Sequence, residues 1–328
     1  MDLDKLFQTF SNYKAAVIGD VMLDTYWWGH VERISPEAPV PVVSLDKREL
    51  RIGGAGNVAL NLVSLGAKTT IFSVLGEDDA GKQLDQLLTE TGIDTSYIIC
   101  SHTRKTTDKT RIISRNQQMM RLDSETTADL TPDVEEALIE RVRSYIKDEQ
   151  PAVIIFEDYN KGILTPRVIK EVTELCHQHH IITAVDPKRK NFFAYKDVTI
   201  FKPNLKEVKE GLNILIDEVT LSALNQIHQL LKEQLNHHIS FVTLSEKGVF
   251  FQNEDQSNII PSHLRHIADV SGAGDTVIAV ASLLYAATGD VKLMAEIANI
   301  AGGLVCEEVG TMAVNKEKLL HECKLLLK

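Results

Sequence analysis

A short glycine-rich turn in the last quarter of the chain carries the clearest chemical signal. Residues 269–276 read DVSGAGDT, and an apolar pattern typical of a helix begins directly afterwards at Val277. Gly272 and Gly274 allow successive backbone N–H groups to turn toward one point at the start of that helix. Because free N–H groups at helix N-termini attract anions, the turn predicts a binding site for a phosphate group.

Asp275, on the first turn of the predicted helix, is the chemically unexpected residue. A bound phosphate repels a carboxylate, so this position favours a role in a reaction, and accepting a proton from an attacking hydroxyl is such a role. The alternative is a purely structural turn, in which Asp275 stabilises the helix start through the helix dipole. We predict that Asp275 is a general base and that Gly272, Ala273 and Gly274 provide phosphate-binding amides.

A second glycine-rich segment indicates a sugar site. Residues 53–62 read GGAGNVALNL and lead into a predicted helix that ends near Gly66. Gly54 allows a ligand to approach the backbone, and the amide of Asn57 offers both a donor and an acceptor, as neighbouring sugar hydroxyls require. The segment lacks the G-x-G-x-x-G spacing of dinucleotide-binding turns and follows an extended region instead of the first strand. It therefore does not indicate a dinucleotide site.

These motifs must be positioned by strands and helices that alternate along the chain. Short apolar runs recur at 15–18, 69–74, 152–156, 181–185 and 239–243, with helix-length amphipathic segments between them. The sequence therefore predicts an α/β protein with three layers, α/β/α, around a largely parallel central sheet. Ligands of such sheets bind beyond the carboxyl ends of the strands. The polar residues at those positions are Asp20, Glu157, Asp158, Asp186, Lys188 and Ser245.

Two extended stretches interrupt this alternation. The first, at about 26–50, contains three prolines within short alternating runs, which excludes a helix. The second, at about 109–123, alternates apolar and charged residues and is predicted to join the same small sheet. We predict a single domain over residues 1–328, with a small β lid made by these two stretches.

Length and charge narrow the class of protein. A chain of 328 residues fits one large α/β domain with a small appendage better than two equal domains. A formal charge of −11 and scattered basic residues argue against nucleic acid as a partner. The start of the sequence is acidic, unlike a secretion signal, and the longest apolar stretch, 277–288, is too short to cross a bilayer. With four widely spaced cysteines, we expect a soluble cytoplasmic protein with no membrane partner.

Together, the two glycine-rich segments resemble the paired signatures of the ribokinase-like, or PfkB, family of carbohydrate kinases, over nearly the whole chain. Within this family the sequence is most similar to D-glycero-beta-D-manno-heptose 7-phosphate kinases, the kinase part of enzymes of ADP-heptose synthesis. The segments that carry this narrower resemblance are GDVMLD at 19–24, YWWG at 26–29, RISPEAPVPV at 33–42, SRNQQ at 114–118 and RLD at 121–123. Ser271 replaces a more usual threonine and keeps the hydroxyl, whereas Glu157 stands where a small residue is more usual.

The resemblance implies a ribokinase-like fold and roles for particular residues. It makes Asp275 the catalytic base and the amides of residues 272–275 the anion hole. The residues implied for ATP and Mg²⁺, with Glu207 reaching the metal through water, are Asn204, Leu205, Lys206, Glu207, Thr243, Ser245, Gly248 and Asn299. Those implied for the sugar substrate are Asp20, Asp24, Gly54, Asn57, Asn116, Arg121, Lys161, Asp186 and Lys188. The candidate cations for a phosphate on that sugar are Lys109, Arg111, Arg115, Arg121, Lys161 and Lys188.

The implied activity is ATP-dependent phosphorylation of the C1 hydroxyl of the heptose 7-phosphate to the 1,7-bisphosphate, in ADP-heptose and lipopolysaccharide core precursor synthesis. ATP and Mg²⁺ are the implied cofactors, with a monovalent cation as an optional further ion. The apolar lid residues Trp27, Trp28 and Val42 suit a homodimer formed through the lid. Such kinases often continue into a nucleotidyltransferase domain. Because this sequence ends at Lys328, we expect no such domain here and a separate adenylyltransferase acting on the pathway product.

Other functions fit the same residues. Ribose, a fructose phosphate or a nucleoside would use the same phosphate cradle, so another ribokinase-type kinase remains an alternative. A sugar- or nucleotide-binding regulator of the same fold is a further alternative, although binding alone needs neither Asp275 nor Glu207.

Two further patterns are weaker. Residues 76–83 read GEDDAGKQ and nearly match a P-loop, but Gln83 lacks the metal-binding hydroxyl and the three acidic residues would repel a triphosphate. The histidines at 177–180 and 237–238 do not have spacings that converge on one metal ion. We predict that both patterns are structural.

Overall fold

The central sheet of this protein is predominantly parallel. A computed structural model describes residues 2–115, 117–263 and 265–327. Within them the strands of this sheet are β1 Lys14–Gly19, β4 Lys68–Phe72, β9 Val153–Glu157, β10 Ile182–Asp186, β11 Ile200–Phe201, β12 Ile239–Thr243, β13 Val249–Gln252 and β14 Ser257–Ile260. Their order is β14-β13-β12-β11-β10-β9-β1-β4, and β13 pairs antiparallel with both β12 and β14, whereas the other described pairs of this sheet are parallel.

Helices cover both faces of this sheet. In the described ranges they are α1 Leu3–Thr9, α2 Ala55–Leu65, α3 Asp79–Glu90, α4 Pro132–Glu149, α5 Pro166–Gln178, α6 Leu205–Leu212, α7 Leu221–Leu235, α8 Ala273–Thr288, α9 Val291–Val305 and α10 Lys316–Leu326. Alternate residues of β1 belong to different cores, because side chains alternate across a strand: Val17 packs in the core with α2, α8 and α9, and Ile18 packs in the core with α4, α5 and α7. The predicted three-layer α/β/α fold is confirmed.

One predicted strand is divided in two. The apolar run at 69–74 reads as a single strand, but β4 ends at Phe72, and a second strand, β5 Val74–Gly76, pairs with β6 Ile99–Ser101 in a separate two-stranded sheet. Between them the hydroxyl of Ser73 donates a 2.7 Å hydrogen bond to the carbonyl of Gly19. A buried polar side chain with a non-local partner makes this break, which hydrophobicity alone does not indicate.

The lid is a four-stranded sheet with order β3-β2-β7-β8. Its strands are β2 Val21–Ile34, β3 Pro41–Gly54, β7 Thr107–Ser114 and β8 Gln117–Ser124. They extend further toward the body than the sequence suggested, because the bases of β2 and β3 contribute Leu23 and Ile52 to the main core. Pro41 is the first residue of β3, a position where a missing N–H is tolerated.

The carboxyl ends of the central strands meet at one edge, below the lid. Asp20 follows β1, Glu157 ends β9, Asp186 ends β10 and Lys202 follows β11. Parallel pairing places Glu157 opposite both Gly19 and Asp186. Polar residues from distant parts of the sequence are thus concentrated at this edge. In the parts of the chain that the structure describes, no helix combines the length and apolar character needed to span a membrane.

Candidate active site

Helix α8 begins at the glycine-rich turn. Gly272 caps it in a left-handed conformation, with φ of 78°, and a Cβ at this residue would lie 2.7 Å from both Asn57 Nδ2 and Thr311 Cγ2. Both the backbone angle and the close contacts therefore require glycine. The amide of Ala273 donates to the carbonyl of Val270 at 3.3 Å. The amides of Gly272, Gly274 and Asp275 have no partner within the described residues, and they remain available to an anion.

The carboxylate of Asp275 is buried beside this turn and held by two side chains. Asn57 Nδ2 donates to its Oδ2 at 2.8 Å, and the Tyr159 hydroxyl donates to its Oδ1 at 2.8 Å. Burial raises the pKa of Asp275 above its ordinary value, and these two hydrogen bonds offset part of that rise. A base whose pKa is raised toward the working pH is better matched to taking a proton from a hydroxyl.

Asp275 belongs to a group of three buried carboxylates. Oxygens of Glu157, Asp186 and Asp275 all lie within 4.8 Å of one another. Lys202 Nζ lies 2.7 Å from one Asp186 oxygen, and Lys188 Nζ lies 3.3 Å from the other. Burial alone would raise the pKa of Asp186, but the two lysines more than compensate, and its pKa is lowered. Asp186 is therefore ionised, next to the turn that holds the free amides.

Glu157 is the member of this group whose carboxylate has the fewest stabilising contacts. Its side chain is fully buried, and neither carboxylate oxygen has a hydrogen-bond partner among the residues described. Burial raises its pKa well above the ordinary value, and the charges of Asp186 and Asp275 raise it further. Carboxylate oxygens are the ligands that Mg²⁺ prefers, so these three residues fit a divalent cation at the edge of the phosphate turn.

The residues predicted to organise the metal and the ATP phosphates start helix α6. Asn204 and Glu207 form a capping box, in which each side chain accepts the other's backbone N–H at 2.8 Å. The second oxygen of Glu207 accepts a 2.9 Å hydrogen bond from Lys188, so both of its oxygens have partners within the protein. Leu205 packs against the core, and Lys206 is exposed near Glu210. A water-mediated role of Glu207 at the metal remains a prediction.

A largely apolar cleft of about 480 Å³ opens at the start of α8. Its lining includes the predicted nucleotide residues Thr243, Ser245, Gly248 and Asn299, together with Ala273 and Gly274 of the phosphate turn. Gly302 and Gly303 of α9, and Cys306 directly after it, also line the cleft, and the sequence motifs did not identify them. An apolar slot that ends at unpaired amides fits a molecule with a flat base at one end and phosphates at the other. ATP has this form.

Of the other predicted sugar residues, Asn57 on α2 lies against Gly272 and Asp275. Asn57 Oδ1 is buried without a partner within the described chain. Gly54 has φ of 60° and caps α2, where a Cβ would lie 2.3 Å from the Asp20 carbonyl. Asp24 is buried and ion-paired with Arg111 of the lid. Asn116, another predicted sugar residue, lies outside the described residues.

Asp20 has a different environment from the one expected of a sugar ligand. Its carboxylate accepts backbone N–H groups from Tyr159 at 2.8 Å, Lys161 at 3.0 Å and Ile163 at 3.2 Å, and it is buried. These contacts hold the loop after β9 in place. Arg121 and Lys161 are ion-paired with Asp123 and Glu125 respectively. The sugar contacts predicted for these residues stay predictions.

Sequence reasoning missed Tyr159 and Lys202. Both follow strand ends, Tyr159 two residues after β9 and Lys202 directly after β11, so the strand-end rule that selected Glu157 and Asp186 could have found them. The near P-loop at 76–83 is structural, because Asp78 caps α3 by accepting the Gly81 N–H and Lys82 is exposed.

Comparison with families and curated proteins gives consistent matches. A profile of the family described as pfkB family carbohydrate kinase matches residues 12–318. The bifunctional protein HldE of Trichlorobacter lovleyi is 37% identical over 324 residues, which is 98% of this chain and 65% of that protein. The bifunctional protein HldE of Helicobacter pylori is 37% identical over 306 residues, or 93% of this chain and 65% of that one. The chain therefore spans about 65% of the length of these relatives.

Solved structures show the same architecture at lower sequence identity. Phosphofructokinase-2 from Escherichia coli in complex with potassium superimposes with a TM-score of 0.82 and 17% identity, covering 96% of this chain and 100% of that one. Arabidopsis thaliana ribokinase complexed with ribose and ATP gives a TM-score of 0.73 and 16% identity, covering 94% of this chain and 98% of that one. At these identities the likeness shows the fold alone.

Proposed function

The chain belongs to the pfkB family of carbohydrate kinases and is an ATP-dependent sugar phosphotransferase, and from that premise we propose that its acceptor is the C1 hydroxyl of D-glycero-beta-D-manno-heptose 7-phosphate. The product is the 1,7-bisphosphate, a precursor of ADP-heptose and of the lipopolysaccharide core. Identity of about 37% to HldE proteins over nearly the whole chain supports this choice among sugar kinases. The motifs at 19–42 and 114–123, which resemble those of heptose 7-phosphate kinases, support it as well.

The observation that carries the proposal is the placement of Asp275. Its carboxylate is buried at the start of α8, one residue after the unpaired amide of Gly274 and adjacent to the cleft of about 480 Å³. A sugar hydroxyl on one side of this carboxylate and a phosphoryl group at the amides would be within reach of each other. Phosphoryl transfer depends mainly on such alignment and on neutralising the oxygens between the two groups.

Different residues of the chain have different roles in the proposed reaction. Asp275 accepts the proton of the attacking hydroxyl, while Asn57 and Tyr159 hold its two oxygens in position. The amides of Gly272, Gly274 and Asp275 bind the transferring phosphoryl group. Glu157 and Asp186 are the carboxylates that would hold Mg²⁺, which supplies neutralisation of phosphate charge when bound, and Asp275 is kept as the base. A monovalent cation, as in the potassium complex of phosphofructokinase-2, is a further candidate ion.

We also propose that the enzyme is cytoplasmic and forms a homodimer through the lid. Residues directly opposite one another in the sheet place Leu122 and Met120 on the face that also carries Thr25 and Trp27. Leu122 and Met120 are 52% and 55% exposed, which is unusual for large apolar side chains on adjacent positions of one sheet face. A tetrameric form of phosphofructokinase-2 from Escherichia coli also shares this fold, with a TM-score of 0.78.

A coupled ADP-release assay across several acceptors tests the proposed substrate. We expect the heptose 7-phosphate to give the highest kcat/KM, above ribose, fructose 6-phosphate and a nucleoside. Identification of the product by phosphorus NMR should show a new phosphate ester at C1. A higher kcat/KM for another acceptor would show that the heptose 7-phosphate is not the substrate. Binding of ATP and sugar without ADP release would favour the regulator alternative.

A further inference from the structure

The face of the lid that is turned toward the active site carries two rows of mostly charged residues. Directly paired residues of neighbouring strands place their side chains on the same face of a sheet. The row nearer the body consists of Arg51, Asp24, Lys109 and Asp123. The next row consists of Glu49, Tyr26, Arg111 and Arg121. This face approaches the site, because Lys109 Nζ lies 5.7 Å from the centre of the Tyr159 ring.

Most cations in this region are already paired. Arg111 is bonded to Asp24, and Arg121 donates to both oxygens of Asp123 at 2.8 and 3.0 Å. Lys161 binds Glu125 at 2.7 Å, and Lys188 binds Glu207 and Asp186. Arg51 donates to Glu49 at 2.7 Å, and Arg115 is exposed at the tip of the hairpin between β7 and β8. Each of these paired cations therefore has at least one carboxylate partner.

Lys109 differs from these candidates, because it is partly buried and has no such partner in the described part of the chain. Its ammonium has no hydrogen-bond or ion-pair partner among residues 2–115, 117–263 and 265–327, although its side chain is partly buried. Burial lowers the pKa of Lys109, while Asp24, Glu125 and Asp123 attract its charge from a distance. Those three carboxylates are the ones paired with Arg111, Lys161 and Arg121. The group thus has one more cation than anion, at a place where an unpaired charge is costly.

Lys109 and Asp275 contact different parts of one aromatic ring: Lys109 lies over the face of Tyr159, as Lys188 also does at 5.3 Å, and Asp275 lies at its hydroxyl. The ammonium of Lys109 is 5.7 Å from the ring centre of Tyr159, whose hydroxyl is 2.8 Å from Asp275. A ligand that passes along this ring can place a hydroxyl at Asp275 and an anionic group at Lys109. This requires the hydroxyl and the anion to be at opposite ends of the molecule, as they are in a sugar phosphorylated far from its acceptor hydroxyl.

We propose that Lys109 binds the phosphate that the sugar substrate already carries, and that it makes the enzyme prefer phosphorylated over neutral sugars. The proposal rests on the proposed sugar kinase function of the same site. It narrows the candidate cations from six residues to one, because the other candidates are paired or lie at the hairpin tip. The phosphate of the substrate supplies the missing negative charge, and the transferring phosphoryl group binds separately, at the amides of α8.

Replacement of Lys109 by methionine, which keeps the length of the side chain and removes its charge, tests this role. We expect the KM for the sugar phosphate to rise about 10- to 100-fold, the size of effect that loss of a charge-assisted contact produces. The KM for ATP and the kcat should stay within a few-fold of wild type. The preference for the phosphorylated acceptor over the same sugar without phosphate should fall by the same factor as the KM rises. Lys109→Arg should retain most of this preference.

Lys47→Met is the matched control. Lys47 lies on β3 of the same sheet, is 65% exposed and pairs with Glu49 at 3.0 Å, so its loss removes the same charge from the lid without affecting sugar binding. An equal loss of activity on phosphorylated and neutral acceptors in Lys109→Met would show that Lys109 is structural. An unchanged KM for the sugar phosphate would also overturn the proposal.

Assays of the wild-type enzyme with different acceptors distinguish failure of the Lys109 proposal from failure of the proposed function. If it phosphorylates a different sugar phosphate, the heptose assignment fails and Lys109→Met is measured on that sugar with the same expectation. If it phosphorylates only neutral sugars and gains nothing from a phosphate, the kinase assignment stands and the Lys109 proposal fails. If no acceptor is turned over, binding is measured instead, by calorimetric titration with each sugar phosphate in the presence of ADP. The Lys109 proposal then requires that Lys109→Met binds the sugar phosphate more weakly than wild type.

Discussion

Helix α3 and helix α8 both begin at a turn that contains glycine and an acidic residue. At α3, Asp78 accepts the N–H of Gly81 at 2.8 Å and, through its other oxygen, the N–H of Thr106 at 2.9 Å. At α8, no side chain in the described residues caps the helix, and the amides of Gly272, Gly274 and Asp275 remain free. An anion site therefore requires N–H groups that the protein does not use itself, and glycine-rich sequence alone does not provide this.

The acidic residues on the first turns of α3 and α8 also differ, in exposure and in contacts. The side chain of Asp79 in α3 is 92% exposed, near Lys82, and stabilises the helix through its dipole. Asp275 in α8 is 3% exposed and held by Asn57 and Tyr159. Burial next to unpaired amides is the observation that supports a chemical role for Asp275 and that Asp79 lacks.

Substitutions of the acidic residues on the first turns of α8 and α3 should differ most in their effect on kcat. Asp275→Asn should lower kcat by on the order of 10²- to 10⁴-fold, because the amide cannot accept the proton of the sugar hydroxyl. ATP should still bind, which equilibrium dialysis or calorimetry can measure. Asp79→Asn is the matched control and should leave kcat unchanged. Equal rates for Asp275→Asn and wild type would reject the assigned base.

Glycine substitutions should separate activity from stability. A Cβ at Gly272 would meet Asn57 Nδ2 and Thr311 at 2.7 Å with φ of 78°, so Gly272→Ala should displace the base and the amides. We expect kcat/KM to fall about 100-fold, the effect of a displacement near 1 Å. A Cβ at Gly81 would lie 2.4 Å from the carbonyl of Gly76, so Gly81→Ala should lower the melting temperature while folded enzyme keeps its kcat. Loss of kcat in both variants would contradict this separation.

Tyr159→Phe should change the pH dependence more than the maximal rate. The hydroxyl of Tyr159 lowers the pKa of Asp275, in opposition to burial, so its removal raises that pKa. More Asp275 is then protonated at a given pH, and the acid limb of the kcat/KM profile should move to higher pH by about one unit. The rate on the plateau should stay within about tenfold of wild type. A shift to lower pH would show that the hydroxyl does not stabilise the ionised base.

The smallest effects are expected at α3. Asp78→Ala removes the helix cap and should lower the free energy of unfolding by about 1 kcal/mol, measured by urea denaturation. Its KM for ATP should equal that of wild type, as should that of Lys82→Ala. A large rise in the KM for ATP in Lys82→Ala would restore the P-loop interpretation of residues 76–83.

The fold and the phosphate turn were predictable because their signals are local. Uniformly apolar runs predicted the central strands, and two glycines before an apolar helix predicted the turn at 272–275. The break at Ser73 was not predictable, because it depends on a hydrogen bond to Gly19 across the sheet. The motifs also gave no indication that Lys109 lacks a partner, since this follows from the register that pairs Arg111 with Asp24.

Other site residues needed the tertiary structure. Tyr159 reaches Asp275, 116 residues away in sequence, because β9 ends and α8 begins at the same edge of the sheet. Glu157 and Asp186 both end a strand, but of these two carboxylates only Asp186 forms ion pairs with Lys188 and Lys202. Pairing of charges across strands is long-range information, and composition and spacing do not contain it.

Asp20 connects the base of the lid to the loop that carries Tyr159. It is the single residue between β1 and the first lid strand, β2, and its carboxylate holds the peptide groups of Tyr159, Lys161 and Ile163. The start of the lid and the peptide that carries the Tyr159 ring are therefore tied together by one carboxylate, and the Tyr159 hydroxyl in turn contacts Asp275.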